Sequence, residues 1–342
     1  MPEESLGPTP DHLLRLAAGR TTNVLLELAL ELELFAKLKG KAVPLAELAG
    51  TWDMPAPSAR FVAQYLSNEG LLVYRDGAVS NSPLVEMTLT GDSELRFHLS
   101  VLFKYDLSLD ELREQLLNPP VSQWYQVREH GKITDPRGVL RQTPDRWLLE
   151  MVTLRHEQRI QLGRALAEQY DFSAHHKLLD LGAAGGGYCI GIRQLNPHLR
   201  CVAFDLPEVI ELAREKIAEA GEEEGIELVT GSFFTDDFPA GADVMLITWI
   251  HNWSPEDDRT ILRKAYDALA DGGVFLVNEF CFEDDWSGSI EAVFSAFLMV
   301  GQEGKSGWAP SYAEIESLLE EVGFVDLERR PRLVIARKPA AS

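Results

Sequence analysis

A run of small residues interrupts an apolar stretch in the middle of this chain and marks the first place where chemistry is expected. Residues 177–181 are mostly apolar, residues 182–187 are glycine and alanine, and residues 188–192 are mostly apolar again. This pattern predicts a strand, a glycine loop and a helix whose N-terminal amides point at a bound ligand. A dinucleotide site would need a glycine where Ala184 stands, so S-adenosylmethionine fits this loop better than NAD. The alternative is a glycine turn that only closes a βαβ unit.

Polar residues stand at the end of each predicted strand in the second half of the chain. They are Asp180, Asp205, Ser232, His251 and Glu279. Strand and helix patterns alternate here, which predicts an α/β fold with a Rossmann-like, doubly wound and mainly parallel sheet. Ligands of such sheets bind beyond the carboxyl ends of the strands. Because core packing gives no reason for polar residues at all of these ends, we expect them to line one site.

Asp205 has the position expected of a carboxylate that binds ribose. It lies 23 residues after Gly182 (205 − 182), close to the ~20 typical of the acidic residue that accepts hydrogen bonds from a ribose diol. The alternative role for Asp205 is the N-cap of the helix that begins at Pro207. Phe233 and Phe234 follow the next strand, where they either sandwich an adenine or pack in the core.

His251 is the candidate general base. Because imidazole titrates near neutrality, it can take the proton from a phenol or a similar hydroxyl group. Glu279, at the end of the following strand, can orient the imidazole by accepting its other N–H. The alternative is a histidine whose hydrogen bonds are satisfied in a structural turn. The acidic runs 236–237 and 283–285 are interpreted as solvated surface, and no metal site is predicted.

The first part of the chain is predicted to be mostly helical. Apolar residues at helical spacing from Asp11 to Leu38 predict two helices separated at Gly19, and two further helices precede a hairpin around Asp76-Gly77. This order is the winged-helix plan. The second of the later helices offers only Arg60 as a cation, and the formal net charge of −22 repels phosphate. A structural or dimer-forming module is therefore favoured over a DNA-binding one.

The length of the chain allows two domains, and its composition is that of a globular protein. The 342 residues are 45% apolar and 25% charged, as is ordinary for a soluble protein with a sizeable core. We expect a winged-helix dimerisation domain over 1–95, a helical linker and substrate-pocket region over 96–170, and a Rossmann-like domain over 171–342. The three cysteines lack metal-site spacing and no secretory or membrane-spanning pattern is present, so we expect a cytoplasmic protein without nucleic-acid or membrane partners.

Taken together, these motifs resemble the class I S-adenosylmethionine-dependent O-methyltransferases of small molecules. This family includes plant phenolic and bacterial polyketide enzymes and has an N-terminal winged-helix dimerisation domain. The resemblance implies that the cofactor contacts the glycine-loop motif, the Asp-Leu-Pro motif, the adenine motif and the end of the fourth strand. In this chain these are Asp180, Gly182, Ala184 and Gly186; Asp205 and Leu206; Ser232, Phe233 and Phe234; and Thr248.

The resemblance also implies the catalytic pair and shows where this chain departs from the family. The His-Asp-Trp catalytic motif is present as His251-Asn252-Trp253, and Glu279 matches the glutamate that flanks the base. The family's second flanking glutamate, in a Gly-x-Glu-x-Thr stretch, is replaced by Ala309, although Glu303 is a nearby carboxylate. The other departures are Ala184 for glycine, Ser232 for aspartate and Asn252 for aspartate.

The implied activity is methylation of a hydroxyl group on an aromatic or polyketide-like small molecule in secondary metabolism, by a homodimer that uses S-adenosylmethionine. The substrate pocket is expected to include Met151, Arg155, His156, Asn252, Phe297, Met299 and Trp308. One alternative is an enzyme of the same fold that binds the cofactor but catalyses hydroxylation, decarboxylation or a pericyclic rearrangement. Another is a winged-helix regulator that senses S-adenosylmethionine.

Overall fold

A computed structural model describes residues 10–91, 156–289 and 308–341, together with single positions in the gaps between these ranges. The chain divides into two compact units, Met1–Ser108 and Leu109–Ser342. The predicted boundary after residue 95 stays a prediction, because few residues between 92 and 155 are described. The proposed pocket residues Met151, Arg155, Phe297 and Met299, and also Glu303, lie outside the described residues.

The first unit combines short helices with a small antiparallel sheet. Its strands pair in the order β1-β3-β2. The elements are α1 (Pro10–Glu31), α2 (Leu34–Lys37), β1 (Val43–Pro44), α3 (Leu48–Trp52), α4 (Ala56–Asn68), β2 (Leu72–Arg75), β3 (Ala78–Asn81) and α5 (Pro83–Thr88).

The predicted hairpin of this unit is confirmed, but the predicted helix break at Gly19 is wrong. Asp76 and Gly77 form the turn between β2 and β3 with left-handed φ values of 51° and 80°, as a two-residue hairpin turn requires. Gly19 lies inside α1, because a single glycine lowers helix stability without preventing a helix. The chain instead breaks at Glu33, which adopts a left-handed φ of 56°. The winged-helix assignment itself stays a prediction.

The second unit is a seven-stranded sheet between two layers of helices, which confirms the predicted α/β, Rossmann-like fold. The strands lie in the order β6-β5-β4-β7-β8-β10-β9; β10 is antiparallel to its neighbours, whereas β4 to β8 are parallel. The elements are α6 (His156–Gln169), β4 (Lys177–Leu181), α7 (Gly187–Leu195), β5 (Arg200–Asp205), α8 (Pro207–Glu219), β6 (Ile226–Thr230), β7 (Ala242–Thr248), α9 (Pro255–Ala268), β8 (Leu269–Asn278), α10 (Tyr312–Val322), β9 (Val325–Arg330) and β10 (Leu333–Arg337).

Alternating residues of each central strand bury against opposite helix layers. Leu179 and Leu181 of β4 pack in the cluster that contains the inner faces of α9 and α10. Leu178 packs in the cluster that contains residues of α6, α7 and α8. This two-residue alternation is what a strand buried on both faces requires. No helix among the described residues is both long enough and apolar enough to cross a membrane.

Glycines let α6 and α7 approach each other backbone to backbone. A Cβ atom at Gly191 would lie 2.0 Å from the carbonyl oxygen of Ile160, and one at Gly163 would lie 2.6 Å from that of Tyr188. Both distances are far below van der Waals contact, so only glycine allows this packing. Because α7 begins directly after the glycine loop, the contact with α6 holds the base of that loop.

Candidate active site

The glycine loop lies at the switch point of the sheet, between β5 and β7 on either side of β4. At such a point neighbouring connections leave on opposite faces and open a crevice for a ligand. The Gly182 and Ala183 amides donate to the carbonyl of Phe204, and the Gly186 amide donates to that of Ala183. Gly182 and Gly186 adopt left-handed φ values of 79° and 74°. The loop is therefore an ordered turn that closes on its own backbone.

Asp205 joins the end of β5 to this loop. Its Oδ2 accepts a hydrogen bond from the Ala184 amide at 2.8 Å, and its Oδ1 accepts one from the Leu206 amide at 2.7 Å. The N-cap residue of α8 is Leu206, which makes no side-chain capping bond. Asp205 is thus not the helix cap that one interpretation of the sequence suggested. Burial raises the pKa of Asp205 to about 6, against the opposing effect of the two amide donors.

The Asp180 side chain is buried between the glycine loop and α7 rather than exposed on the ligand-facing side of the loop. The carboxyl group is 1% exposed and accepts a hydrogen bond from the Cys189 thiol of α7, with a sulfur to Oδ2 distance of 3.6 Å. Burial raises its pKa to about 7. In this position Asp180 connects β4 with the helix that follows the loop.

Aromatic rings form one wall beside the loop. The Phe233 ring lies 3.2 Å from the position that a Cβ atom on Gly182 would take, and Phe234 meets Trp253 edge to face with ring centroids 4.8 Å apart. Ser232 orders this segment, because its hydroxyl accepts from the Phe234 amide at 3.2 Å. The Phe233 and Phe234 rings also pack against the buried core, so the adenine and core interpretations are compatible.

The ends of β7 and β8 bring the predicted catalytic residues to the same edge of the sheet. Thr248 is in register with Asn278, the residue before Glu279. A 3₁₀ turn over Ile250–Asn252 carries His251, whose side chain lies outside the described residues. Glu279 is 2% exposed; its amide donates to the Arg332 carbonyl at 2.9 Å and its Oε1 accepts from the Phe280 amide at 2.7 Å. Both bonds fix where this carboxyl group sits.

A second buried carboxyl group, Asp258, lies near Glu279. Asp258 is 0% exposed, and its Oδ2 accepts a hydrogen bond from the Trp308 indole N–H at 2.9 Å. Burial, together with repulsion from Glu279 and Asp257, raises the pKa of Asp258 to about 9. Asp258 is therefore protonated near neutral pH. Backbone hydrogen bonds hold the Trp308 segment close to Glu279. They form an isolated β-bridge between Ser311 and Phe282, and Phe282 lies three residues after Glu279.

His156, a described member of the predicted substrate pocket, lies beside the start of α7. Its side chain is 6% exposed, and its Nδ1 atom is buried without a hydrogen-bond partner among the residues that the structure describes. The His156 carbonyl oxygen lies 3.1 Å from the position of a Cβ atom on Gly187, the first residue of α7. Burial lowers the pKa of His156, so the imidazole is neutral and can accept or donate one hydrogen bond at Nδ1.

The acidic runs make ordinary structural contacts. Asp236 accepts from the Ser232 amide, Asp284 pairs with Arg329 at 2.7 Å, and Asp285 accepts from Ser287. Within the described ranges, no group of three or more His, Cys, Asp and Glu side chains is arranged to hold a metal ion.

Comparison with known proteins decides the family. The sequence model of the O-methyltransferase domain matches residues 139–325, which is more than half of the chain. The chain belongs to the O-methyltransferase family. This match confirms the family that the sequence motifs predicted. The matched residues include the glycine loop, Glu279 and Asp258, and the Trp308 segment.

Two curated relatives each match less than half of this O-methyltransferase family member. The 3-hydroxy-5-methyl-1-naphthoate 3-O-methyltransferase of Streptomyces sahachiroi is 35% identical over 153 residues, 44% of each chain. The aclacinomycin 10-hydroxylase RdmB of Streptomyces purpurascens is 40% identical over 114 residues, 33% of this chain and 30% of the relative. The chain thus spans less than half the length of each of these relatives. The solved apo structure of the methyltransferase SibL superposes with a TM-score of 0.75 and 24% identity, covering 96% of this chain and 98% of that one; this likeness concerns the fold.

The O-methyltransferase motifs identified most of these residues, but sequence reasoning missed Asp258. It stands in the acidic first turn of α9 beside Glu256 and Asp257, where carboxylates usually interact with the helix dipole. No periodic signal separates the buried members of this run, Asp257 and Asp258, from the exposed Glu256. Ala309 is exposed, and Asn252 is half-buried in the turn that carries His251. Asp258 is therefore a carboxyl group that the family motifs do not include.

Proposed function

We propose that this chain is an S-adenosylmethionine-dependent O-methyltransferase that methylates a hydroxyl group of an aromatic or polyketide-like small molecule. The observation that carries the proposal is the Asp205 carboxylate bonded to the Ala184 amide at the switch point of the sheet. Each of its oxygens accepts one hydrogen bond from the protein and retains a lone pair that could accept from a ribose hydroxyl. The family match and the O-methyltransferase name of the 35% identical relative support the same activity.

The other residues around the loop also suit this cofactor. Phe234 and Trp253 offer an aromatic wall for adenine. The buried Nδ1 atom of His156 has no hydrogen-bond partner within the described part of the chain, and a polar ligand could supply one. Further proposed members of the cofactor site are Gly182, Gly186, Leu206, Ser232, Phe233 and Thr248. Asp180, the other proposed member, would support the loop from behind through its bond with Cys189. When bound, S-adenosylmethionine supplies an activated methyl group on a sulfonium centre.

The residues of this chain have to position the acceptor and remove its proton. We assign His251 as the general base and Glu279 as the residue that orients its imidazole. Glu279 is suited to this role because its amide donates to the Arg332 carbonyl and its Oε1 accepts from the Phe280 amide, which fixes it directly after β8. The preceding residue, Asn278, is in register with Thr248 of the strand that leads to His251. Most of the rate gain would come from holding the acceptor oxygen in line with the methyl group. The proposed pocket residues are Met151, Arg155, His156, Asn252, Phe297, Met299 and Trp308.

The test is incubation with isotope-labelled S-adenosylmethionine and a panel of hydroxylated aromatic compounds, followed by mass spectrometry. We expect one methyl group per product molecule and an equal amount of S-adenosylhomocysteine. His251→Ala should lower turnover by at least about a hundredfold while cofactor binding, measured by calorimetry, is retained. Unchanged turnover in His251→Ala would remove the base from the proposal, and failure to bind the cofactor would refute the cofactor site.

A second candidate is non-methyl chemistry on the same cofactor site. It is favoured by the 40% identity to a protein named as a hydroxylase and by the departures at Ser232, Asn252 and Ala309. This enzyme would release a product without the labelled methyl group and without equivalent S-adenosylhomocysteine. The mass of the product therefore separates the two candidates.

We further propose a cytoplasmic homodimer. The three cysteines are buried and form no disulfide, as suits a reducing compartment. The dimer would form through a winged-helix domain over 1–95, and Leu14, Val24 and Leu28 on α1 are exposed apolar residues available for it. The proposed linker and pocket region spans 96–170, and the cofactor domain spans 171–342.

A further inference from the structure

A cavity of about 380 Å³ opens beyond the end of β8, beside the turn between β9 and β10. Phe280, Cys281, Tyr312 and Pro331 form the apolar part of its wall. The polar part consists of three arginines, Arg329, Arg330 and Arg332, together with Glu283 and Ser289. A volume of this size accommodates a small aromatic ligand. The Glu279 amide donates to the carbonyl of Arg332, one of these arginines, so the cavity adjoins the proposed catalytic edge.

The three arginines of the cavity differ in their partners. Arg329 is paired with Glu316 and Asp284, and Arg330 is paired with Glu328. Arg332 forms no ion pair and no side-chain hydrogen bond with the described residues, and its Nε atom is buried without a partner. A buried N–H of a charged group that lacks an acceptor is costly and rare in native proteins. An acceptor supplied by a ligand would satisfy it.

The protein holds Arg332 in place for such a ligand. Its guanidinium carbon lies 3.9 Å from the centroid of the Phe280 ring, a cation–π contact. Its amide donates to the Tyr312 hydroxyl oxygen at 2.8 Å. Arg332 is the second residue of the turn between β9 and β10, after Pro331, and its left-handed φ of 62° is the value that such a turn requires.

The chemistry of the cavity favours a carboxylate. Nε and a terminal nitrogen of a guanidinium donate two parallel hydrogen bonds that match the two oxygens of a carboxylate. Glu283 also lines the cavity, and its charge would repel a phosphate dianion more strongly than a carboxylate monoanion.

We propose that Arg332 binds the carboxylate of an aromatic hydroxy acid, which is the class of acceptor substrate for this enzyme. The substrate assignment rests on the proposed methyltransferase function, but the binding of the acid does not. The carboxylate–Arg332 pair would anchor the acid next to Glu279, so that the hydroxyl group to be methylated is delivered to the catalytic edge of the sheet.

The test compares two ligands that differ only in the carboxylate, 3-hydroxy-2-naphthoate and 2-naphthol, by equilibrium calorimetry on the full-length protein. We expect the acid to bind at least about tenfold more tightly, as a charged hydrogen-bonded pair permits. Arg332→Met should remove this preference and leave the affinity for 2-naphthol unchanged. Arg330→Met is the matched control, because Arg330 lines the same cavity but is already paired with Glu328.

Three results would overturn the proposal. The first is equal affinity of the unmodified protein for the two ligands, and the second is an equal loss of affinity for the acid in the Arg332→Met and Arg330→Met variants. The third is that inorganic phosphate displaces the acid more strongly than benzoate does. Arg332→Lys, which keeps the charge but loses the paired donors, should retain part of the preference and serves if Arg332→Met does not fold. Carboxylate-dependent binding without any methylated product would refute the proposed function and leave this site standing.

Discussion

At the scale of single residues, the carboxyl groups carry the most information. Asp180, Asp205 and Asp258 all have pKa values raised by burial, to about 7, 6 and 9. Asp205 faces the glycine loop, whereas Asp258 holds the Trp308 indole and lies near Glu279. A protonated Asp258 reduces the repulsion that a second anion would exert on Glu279. The proposed catalytic edge therefore contains one neutral acid beside a carboxylate assigned to orient the base.

The raised pKa of Asp258 predicts a specific pH dependence of stability. The unfolded group titrates near 3.8 and the folded group near 9. Between these values the folded state holds a proton that the unfolded state has lost, so stability falls as pH rises, by up to about 1.4 kcal/mol per pH unit. Asp258→Asn keeps an acceptor for Trp308 but cannot titrate. Urea unfolding from pH 5 to 8 should show a shallower decline in the variant, and parallel pH curves for both proteins would contradict the assignment.

Ala184 is strained where the glycine-loop motif has its central glycine. Its φ of 50° lies in the left-handed region, which disfavours residues that carry a Cβ atom. Ala184→Gly should raise the free energy of unfolding by roughly 1 kcal/mol. The control is Ala183→Gly, since Ala183 is buried and has no left-handed φ; its free energy of unfolding should fall by about 0.5–1 kcal/mol. A destabilised Ala184→Gly protein would show that the alanine is required there.

At the scale of elements, helix packing explains why the loop is rigid. The backbones of α6 and α7 touch through glycines, and α7 starts at the last residue of the loop. A side chain at this contact would separate the helices and shift the Ala184 amide away from Asp205. The close approach of the two helices therefore supports the proposed cofactor site.

A pair of glycine substitutions tests this packing. Gly191→Ala places a Cβ atom 2.0 Å from the Ile160 carbonyl oxygen and should lower the free energy of unfolding by about 2 kcal/mol or more. Gly19→Ala, in a helix with no atom within 4 Å of the new Cβ, should raise it by up to about 1 kcal/mol. Chemical denaturation followed by circular dichroism measures both. Equal effects of the two changes would refute the packing argument.

The sequence predicted the strand ends better than it predicted what surrounds them. Asp205 and Glu279 could be identified because apolar strand patterns stop at them, and parallel strands bring their ends together. Asp258 could not, because the indole that donates to it belongs to Trp308, which is 50 residues away along the chain. Arg332 gives no local signal either, because the sequence places it close to Arg329 and Arg330 and does not show which of the three has an ion-pair partner. The break at Glu33 rather than Gly19 likewise reflects packing rather than helix propensity.

At the scale of the whole molecule, the proposed homodimer predicts a change in mass. Leu14 and Leu28 are 70% and 37% exposed on α1 and lie within about 40° of each other around the helix axis. Introducing charge at both positions, Leu14→Glu with Leu28→Glu, should convert a dimer into a 38.2 kDa monomer in size-exclusion chromatography with light scattering. Leu195→Glu is the control, since Leu195 is 48% exposed on the other unit. A dimer that survives the double change would place the interface elsewhere.

The order of the strands also constrains how the protein is made. β10 lies between β8 and β9 although it follows both in the chain. The carbonyl oxygen of Arg332, the residue just before β10, accepts a hydrogen bond from the Glu279 amide. The edge of β8 therefore stays unpaired on the nascent chain until residues 333–337 leave the ribosome, long after the glycine loop has emerged. An unpaired strand edge of this kind invites association with other chains. Synthesis of β10 thus closes the exposed edge of the nascent protein and completes the surroundings of Glu279 in a single step.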